Sequence, residues 1–137
     1  MPRATTLEQA ASALARRDRS AAALVVYLEE RGVDAGEAAE AVERLRLAGY
    51  VDDGRLAALR AETLAGRGYG DAAIRADLER HAVCSELVDH AVAALEPEGE
   101  RAEALAGRDG RTPRTARRLL AKGFAAETVA GMMRAEV

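Results

Sequence analysis

Three stretches of the chain carry apolar residues at the spacing i, i+3, i+4, i+7 or part of it: Ala38, Ala41, Val42 and Leu45; Val88, Ala91, Val92 and Leu95; and Val129, Met132 and Met133. That spacing places each set on one buried face of an α-helix, and it puts Met132 and Met133 in the core rather than on an adaptable surface. Ahead of each stretch lies a second predicted helix, anchored by Leu24 and Leu28, by Ile74 and Leu78, and by Leu119. Residues 6 to 16, with Leu7, Ala11 and Leu14, and residues 53 to 65, with Leu56, Leu59 and Leu64, predict a further helix at the head of the first two groups.

The groups are copies of one another. A shift of fifty residues lays Leu24 on Ile74, Leu28 on Leu78, Arg31 on His81, Val33 on Val83, Ala41 on Ala91, Val42 on Val92 and Leu45 on Leu95, without a gap. Aligning Gly123 with Gly32 lays Leu119 on Leu28, Phe124 on Val33 and Val129 on Ala38. Three copies of about 45 residues leave room for three short helices each. The expectation is one all-α domain over residues 1–137, built of three tandem three-helix, helix-turn-helix-like repeats at about 6–48, 50–96 and 100–135.

Composition agrees with that class. Apolar residues make up 49% of the 137 residues but aromatics only 3%, so Ala, Leu and Val must build the core, and the residues that fill strands are scarce. Helix punctuation falls at matching places. Ser20, and Thr112 before Pro113, read as N-caps, Asp34 with Glu37 as a variant capping box, and Gly32 and Gly123 as left-handed C-caps. Cys84 and Ala125 stand where Asp34 does, so Ser85 is expected to cap in the second copy.

Net charge is −3, which disfavours a protein whose main business is coating nucleic acid. The average conceals a gradient: residues 66–100 carry net −5 and residues 101–137 net +4. Either a partner with its own charge pattern or an uneven helical surface accounts for it. Single-residue chemistry is sparse. Cys84 has no second cysteine to pair with, and no apolar run near the start resembles a leader or a membrane span, which points to the cytoplasm. His81, Cys84 and His90 are three potential ligands without a fourth, so no metal is expected, and no cofactor or catalytic set stands out. The protein is read as a non-enzyme.

Four segments, RRDRSAAALVVYLEERGVD, RLRLAGYVDDGRLA, GRGYGDAAIRADLERHAV and RRLLAKGFAAETV, resemble in order and spacing the signature stretches of the RecX family, regulators of the RecA recombinase. The resemblance implies an elongated, curved array of three-helix repeats. It also implies a cytoplasmic monomer that binds RecA and the RecA-DNA filament, with weak direct contact to DNA, and that blocks filament extension or promotes disassembly. Homologous recombination, RecA ATP hydrolysis and the SOS response would thereby be restrained, in the regulation of DNA repair. Gly49, Tyr50, Val51, Asp52, Asp53 and Arg55 match the family's Gly-Tyr-aliphatic-Asp-Asp-x-Arg corner; Gly66, Arg67, Gly68, Tyr69 and Gly70 match its Gly-Tyr-Gly segment; and Gly123 and Phe124, with Lys122 for arginine, match its Arg-Gly-Phe. Gly54 and Leu56 depart from the family, and the first helix of the third copy is reduced to ERAEALAGR before a flexible RDGRTP.

The corner has a sufficient structural account: Gly49 ends a helix, Tyr50 packs at the repeat junction, and Asp52 or Asp53 caps the next helix. GRGYG lacks the preceding strand and the lysine and hydroxyl of a phosphate loop, and reads as a hinge between two helices. The basic set Arg108, Arg111, Arg114, Arg117, Arg118 and Lys122, extended by Arg67 and Arg75, has two readings, a solvated helix face or a contact with an acidic surface of RecA or with filament DNA. A small helix-turn-helix-like DNA-binding protein acting without RecA is the alternative from another class, disfavoured by the acidic net charge.

Overall fold

The computed structural model describes residues 1–135. Among them are nine α-helices and no strand: α1 (Ala4–Arg16), α2 (Ala21–Glu30), α3 (Ala35–Leu47), α4 (Asp53–Gly66), α5 (Asp71–Arg80), α6 (Ser85–Ala93), α7 (Glu98–Asp109), α8 (Pro113–Ala121) and α9 (Ala126–Arg134). They fall in threes, in the order the apolar pattern predicts. α7 runs for 12 residues against 13 in α1 and 14 in α4, so the first helix of the third group is not shortened. The RDGRTP segment after it is held at Arg111, whose guanidinium reaches the Met132 carbonyl at 3.2 Å and the Glu103 carboxylate at 2.7 Å.

The chain divides into two compact units, one of residues 1–56 with 81–83, the other of residues 57–80 with 84–135. In the first, α3 packs on both α1 and α2 around Ala10, Ala13, Leu24, Leu28, Ala38, Ala41, Val42 and Val51. In the second, α5 packs on α6 and α7 and α8 on α9, with Ala102, Ala106, Leu119, Phe124, Val129 and Met132 in one cluster. Burying a leucine such as Leu24 or Leu28 completely stabilises a unit by roughly 1.5–3 kcal/mol. The middle and last helices of each group use the predicted residues. The first helices do not. Ala10 and Ala13 are the buried apolar residues of α1 where Leu7, Ala11 and Leu14 were expected, and Ala57 and Ala61 join Leu56 in α4 while Leu59 is 51% exposed. Small residues let these helices approach closely, and the larger leucines are left at the margin.

Ser20 accepts from the Ala23 amide and Thr112 from the Thr115 amide, as N-caps. Asp34 caps α3 through the amides of Gly36 and Glu37. Glu37 does not close a capping box; its carboxylate takes the Arg3 amide at 2.8 Å and the Thr6 hydroxyl at 2.9 Å, and these two hydrogen bonds hold its pKa below the usual carboxylate range. Ser85 is already inside α6, and Cys84 at the cap position makes no side-chain bond.

One contact recurs in both units. In the first, the Ser20 hydroxyl donates to the carbonyl of His81, which ends α5, and the Ala21 amide donates to Asp53 at 2.8 Å. In the second, the Gly70 amide donates to the carbonyl of Lys122, which ends α8, at 2.8 Å, and the Asp71 amide donates to Glu98 at 2.7 Å. Each time, a donor at the start of a middle helix meets the carbonyl of a residue that follows a helix C-terminus, Ser20 with His81 inside the first unit and Gly70 with Lys122 inside the second. Orphan amides and orphan carbonyls satisfy each other, and a carboxylate completes the N-terminus with the favourable dipole sign.

Candidate binding surfaces

GRGYG is fixed rather than hinged. Gly68 lies at φ +86° and ends α4, with the Tyr69 amide donating to the Leu64 carbonyl. A Cβ on Gly70 would stand 2.6 Å from the Gly123 carbonyl oxygen, so only glycine brings its own amide onto Lys122 where the first copy reaches across with a serine hydroxyl. Gly123 is equally confined, by Ala73 2.6 Å from its missing Cβ. Arg101 sits beneath this contact with its side chain only 10% exposed. Its guanidinium bonds Asp71 at 2.8 Å and the carbonyls of Tyr69 and Glu96 at 3.1 Å, and lies 5.7 Å from the Phe124 ring. Glu98 ties α5 to α9 by accepting from the amides of Asp71 and Ala125 and from the Thr128 hydroxyl. Burial pushes its pKa up, but those donors and the nearby Arg101 charge outweigh it and leave the carboxyl below its ordinary range.

The AGYVDD corner has a different character. Asp52 caps α4 through the Arg55 amide at 3.0 Å. Tyr50 does not pack at a junction: it is 66% exposed and, with Leu7, Ala11, Leu14, Leu45 and Arg55, lines an open apolar groove of about 740 Å³.

The predicted basic set separates by what each head group does. Arg75 pairs with Asp89, Arg118 and Arg108 with Asp109, and Arg111 with Glu103. Lys122 donates to the Arg67 carbonyl at 2.9 Å and stands 4.5 Å from the Tyr69 ring centroid. Arg67, Arg114 and Arg117 are exposed, and among the described residues their side chains have no hydrogen bond or ion pair. Arg114 and Arg117, one turn apart on α8, are thus the part of the helix face that keeps its charge uncompensated.

A second basic cluster lies outside that set. The guanidinium groups of Arg31, Arg19 and Arg16 stand 3.6, 4.4 and 5.8 Å from the centroid of the Tyr27 ring, and Arg16 also donates to the Tyr27 hydroxyl. Its signal in the sequence is RRDR followed by a tyrosine and, four residues on, another arginine on the same helical face. No group of three or more His, Cys, Asp or Glu able to hold a metal occurs among the described residues, and no helix there is long and apolar enough to cross a membrane.

Nine helices among the described residues, grouped in threes and tied by recurring contacts at helix ends, define a helical-repeat protein. Residues 7–45 match the family model described as RecX, first three-helix domain. The chain is 36% identical over 106 residues to the regulatory protein RecX of Syntrophotalea carbinolica, covering 76% of this chain and 69% of that protein. It is 40% identical over 92 residues to the regulatory protein RecX of Xanthomonas axonopodis pv. citri, covering 67% of this chain and 57% of that protein. The chain thus spans little more than half the length of its Xanthomonas relatives. In fold it is similar to the crystal structure of RecX from Lactobacillus salivarius, with a TM-score of 0.79 at 17% identity over 95% of this chain and 93% of that one. A second crystal structure, of a regulatory protein RecX, gives 0.77 at 21% identity, over 94% of this chain and 71% of that one. The chain belongs to the RecX family of regulatory proteins.

Proposed function

We propose that this protein binds RecA and the RecA nucleoprotein filament and restrains filament growth or promotes disassembly, by binding and not by catalysis. Family membership is the observation that carries the reading. The physical sense is that a tandem repeat offers similar elements in series, as a polymer of identical protomers does. Arg67, Arg114 and Arg117, whose charges no carboxylate among the described residues neutralises, are the side chains assigned to an acidic partner surface. Arg111 and Lys122 are assigned to holding the protein's own structure.

Purified protein is expected to suppress DNA-dependent ATP hydrolysis by RecA at less than one molecule per RecA protomer. The R114A/R117A variant should need about tenfold more protein for the same inhibition, the equivalent of two charge contacts of about 0.7 kcal/mol each. Absence of inhibition by the wild type at large excess would refute the reading.

A further inference from the structure

From the Tyr27 cluster we infer a second binding site, one for the phosphodiester backbone of a nucleic-acid strand, formed by Arg16, Arg17, Arg19 and Arg31 in the first unit. Three of the four guanidiniums are gathered around a single ring at 3.6–5.8 Å. They are held there by neutral partners: Arg16 by the Tyr27 hydroxyl, Arg19 by the Ala13 carbonyl at 2.6 Å, and Arg31 by the Tyr27 carbonyl at 3.3 Å. Among the described residues no carboxylate pairs with any of the four; Arg19 itself lines the neighbouring pocket together with Asp18, Tyr50, Asp52 and Arg55. Arg16, Arg17 and Arg31 are exposed and Arg19 is half-buried.

Burial of Arg19, and then repulsion from Arg17, lower the Arg19 pKa; Tyr27 opposes the shift, and Arg16 and Arg31 add lesser repulsions. The like charges are therefore close enough to feel one another, and a bound anion would relieve them. Of the anions a protein meets, a nucleic-acid backbone offers the densest row of negative charge, one per about 1.7 Å of duplex axis. A carboxylate-bearing helix offers only pairs three or four residues apart. Guanidinium forks already oriented by a ring suit the paired oxygens of a phosphodiester and lose little freedom on binding. Contacts to phosphate carry no base information, so the site reads backbone and not sequence.

The test needs no RecA, so it stands or falls separately from the proposed function. Fluorescence anisotropy with labelled single-stranded and duplex oligonucleotides, over a range of salt, compares the wild type with R16Q/R31Q, R16K/R31K and the charge-matched R44Q/R46Q on α3. R16Q/R31Q is expected to bind about tenfold more weakly, with the slope of log affinity against log salt reduced by roughly 1.5–2. R16K/R31K should restore that slope, and R44Q/R46Q should match the wild type. On the unmodified protein, the Arg16, Arg19 and Arg31 Nε–H resonances should shift as the strand is added, a readout independent of how any variant folds. Equal weakening by R44Q/R46Q, displacement by polyglutamate at equal charge concentration, or unmoved arginine resonances would overturn the proposal.

Discussion

Ala82 occupies the position at which the other two copies place Gly32 and Gly123, and it adopts the same left-handed backbone, at φ +59° against +87° and +93°. It is the only such non-glycine among the described residues. An alanine held there costs about 1–2 kcal/mol relative to an ordinary conformation, while glycine costs roughly 0.4–1 kcal/mol through the unfolded chain. Ala82→Gly is therefore expected to raise stability by about 0.5–1 kcal/mol. Gly70→Ala has the opposite sign, because its Cβ meets backbone at Gly123 that cannot swing away, and should cost about 2 kcal/mol or more. Urea titrations of both variants check the pair, and a destabilised A82G or a neutral G70A would contradict the packing described. At this scale the sequence was a partial guide. Leu24, Leu28, Ile74 and Leu119 announced their burial by size and spacing, whereas Ala10, Ala13, Ala57 and Ala61 did not, since small residues are tolerated on either face of a helix.

The helix ends rather than the helix faces distinguish this fold at the scale of the element. Glu98 opens α7 and accepts from the first amide of α5 and from the start of α9, with a folded-state pKa below the unfolded one despite burial. A depressed carboxylate contributes stability that is fully present above its unfolded pKa of about 4.3 and is lost as pH falls through the lower folded value. Thermal melts should therefore show a falling midpoint from about pH 5 downward, and Glu98→Gln should flatten that decline while losing about 1–2 kcal/mol at pH 7. An unchanged pH slope in the variant would exclude the assigned role. The nine helices and their grouping were legible because the fifty-residue register repeats the apolar positions without a gap. The pairing of Ser20 with His81, and of Gly70 with Lys122, was not, because one is a side-chain donor and the other a backbone donor, and only the fold shows they serve one purpose. Arg101 was missed for a related reason: it falls in a charged stretch, and nothing local shows that its side chain is nine-tenths buried against Asp71 and two carbonyls.

For the whole molecule, the count of arginines proved a poor guide and their partners a better one. In the basic C-terminal third, Arg101, Arg108, Arg111 and Arg118 are paired, through Asp71, Glu103 and Asp109, while Arg114 and Arg117 on α8 are not, and neither is Arg67 at the GRGYG turn before it. The first unit, unremarkable in its charge balance, instead concentrates three guanidiniums on one tyrosine. Lys122 adds a chemical consequence of its own. It is the single lysine of the chain, so apart from the N-terminus the protein has one amine, and that amine is engaged with the Arg67 carbonyl and the Tyr69 ring. An acylating reagent thus addresses the meeting of α4, α5 and α8 and nowhere else along the side chains. The rate at which this lone amine reacts becomes a direct report on how often that junction opens.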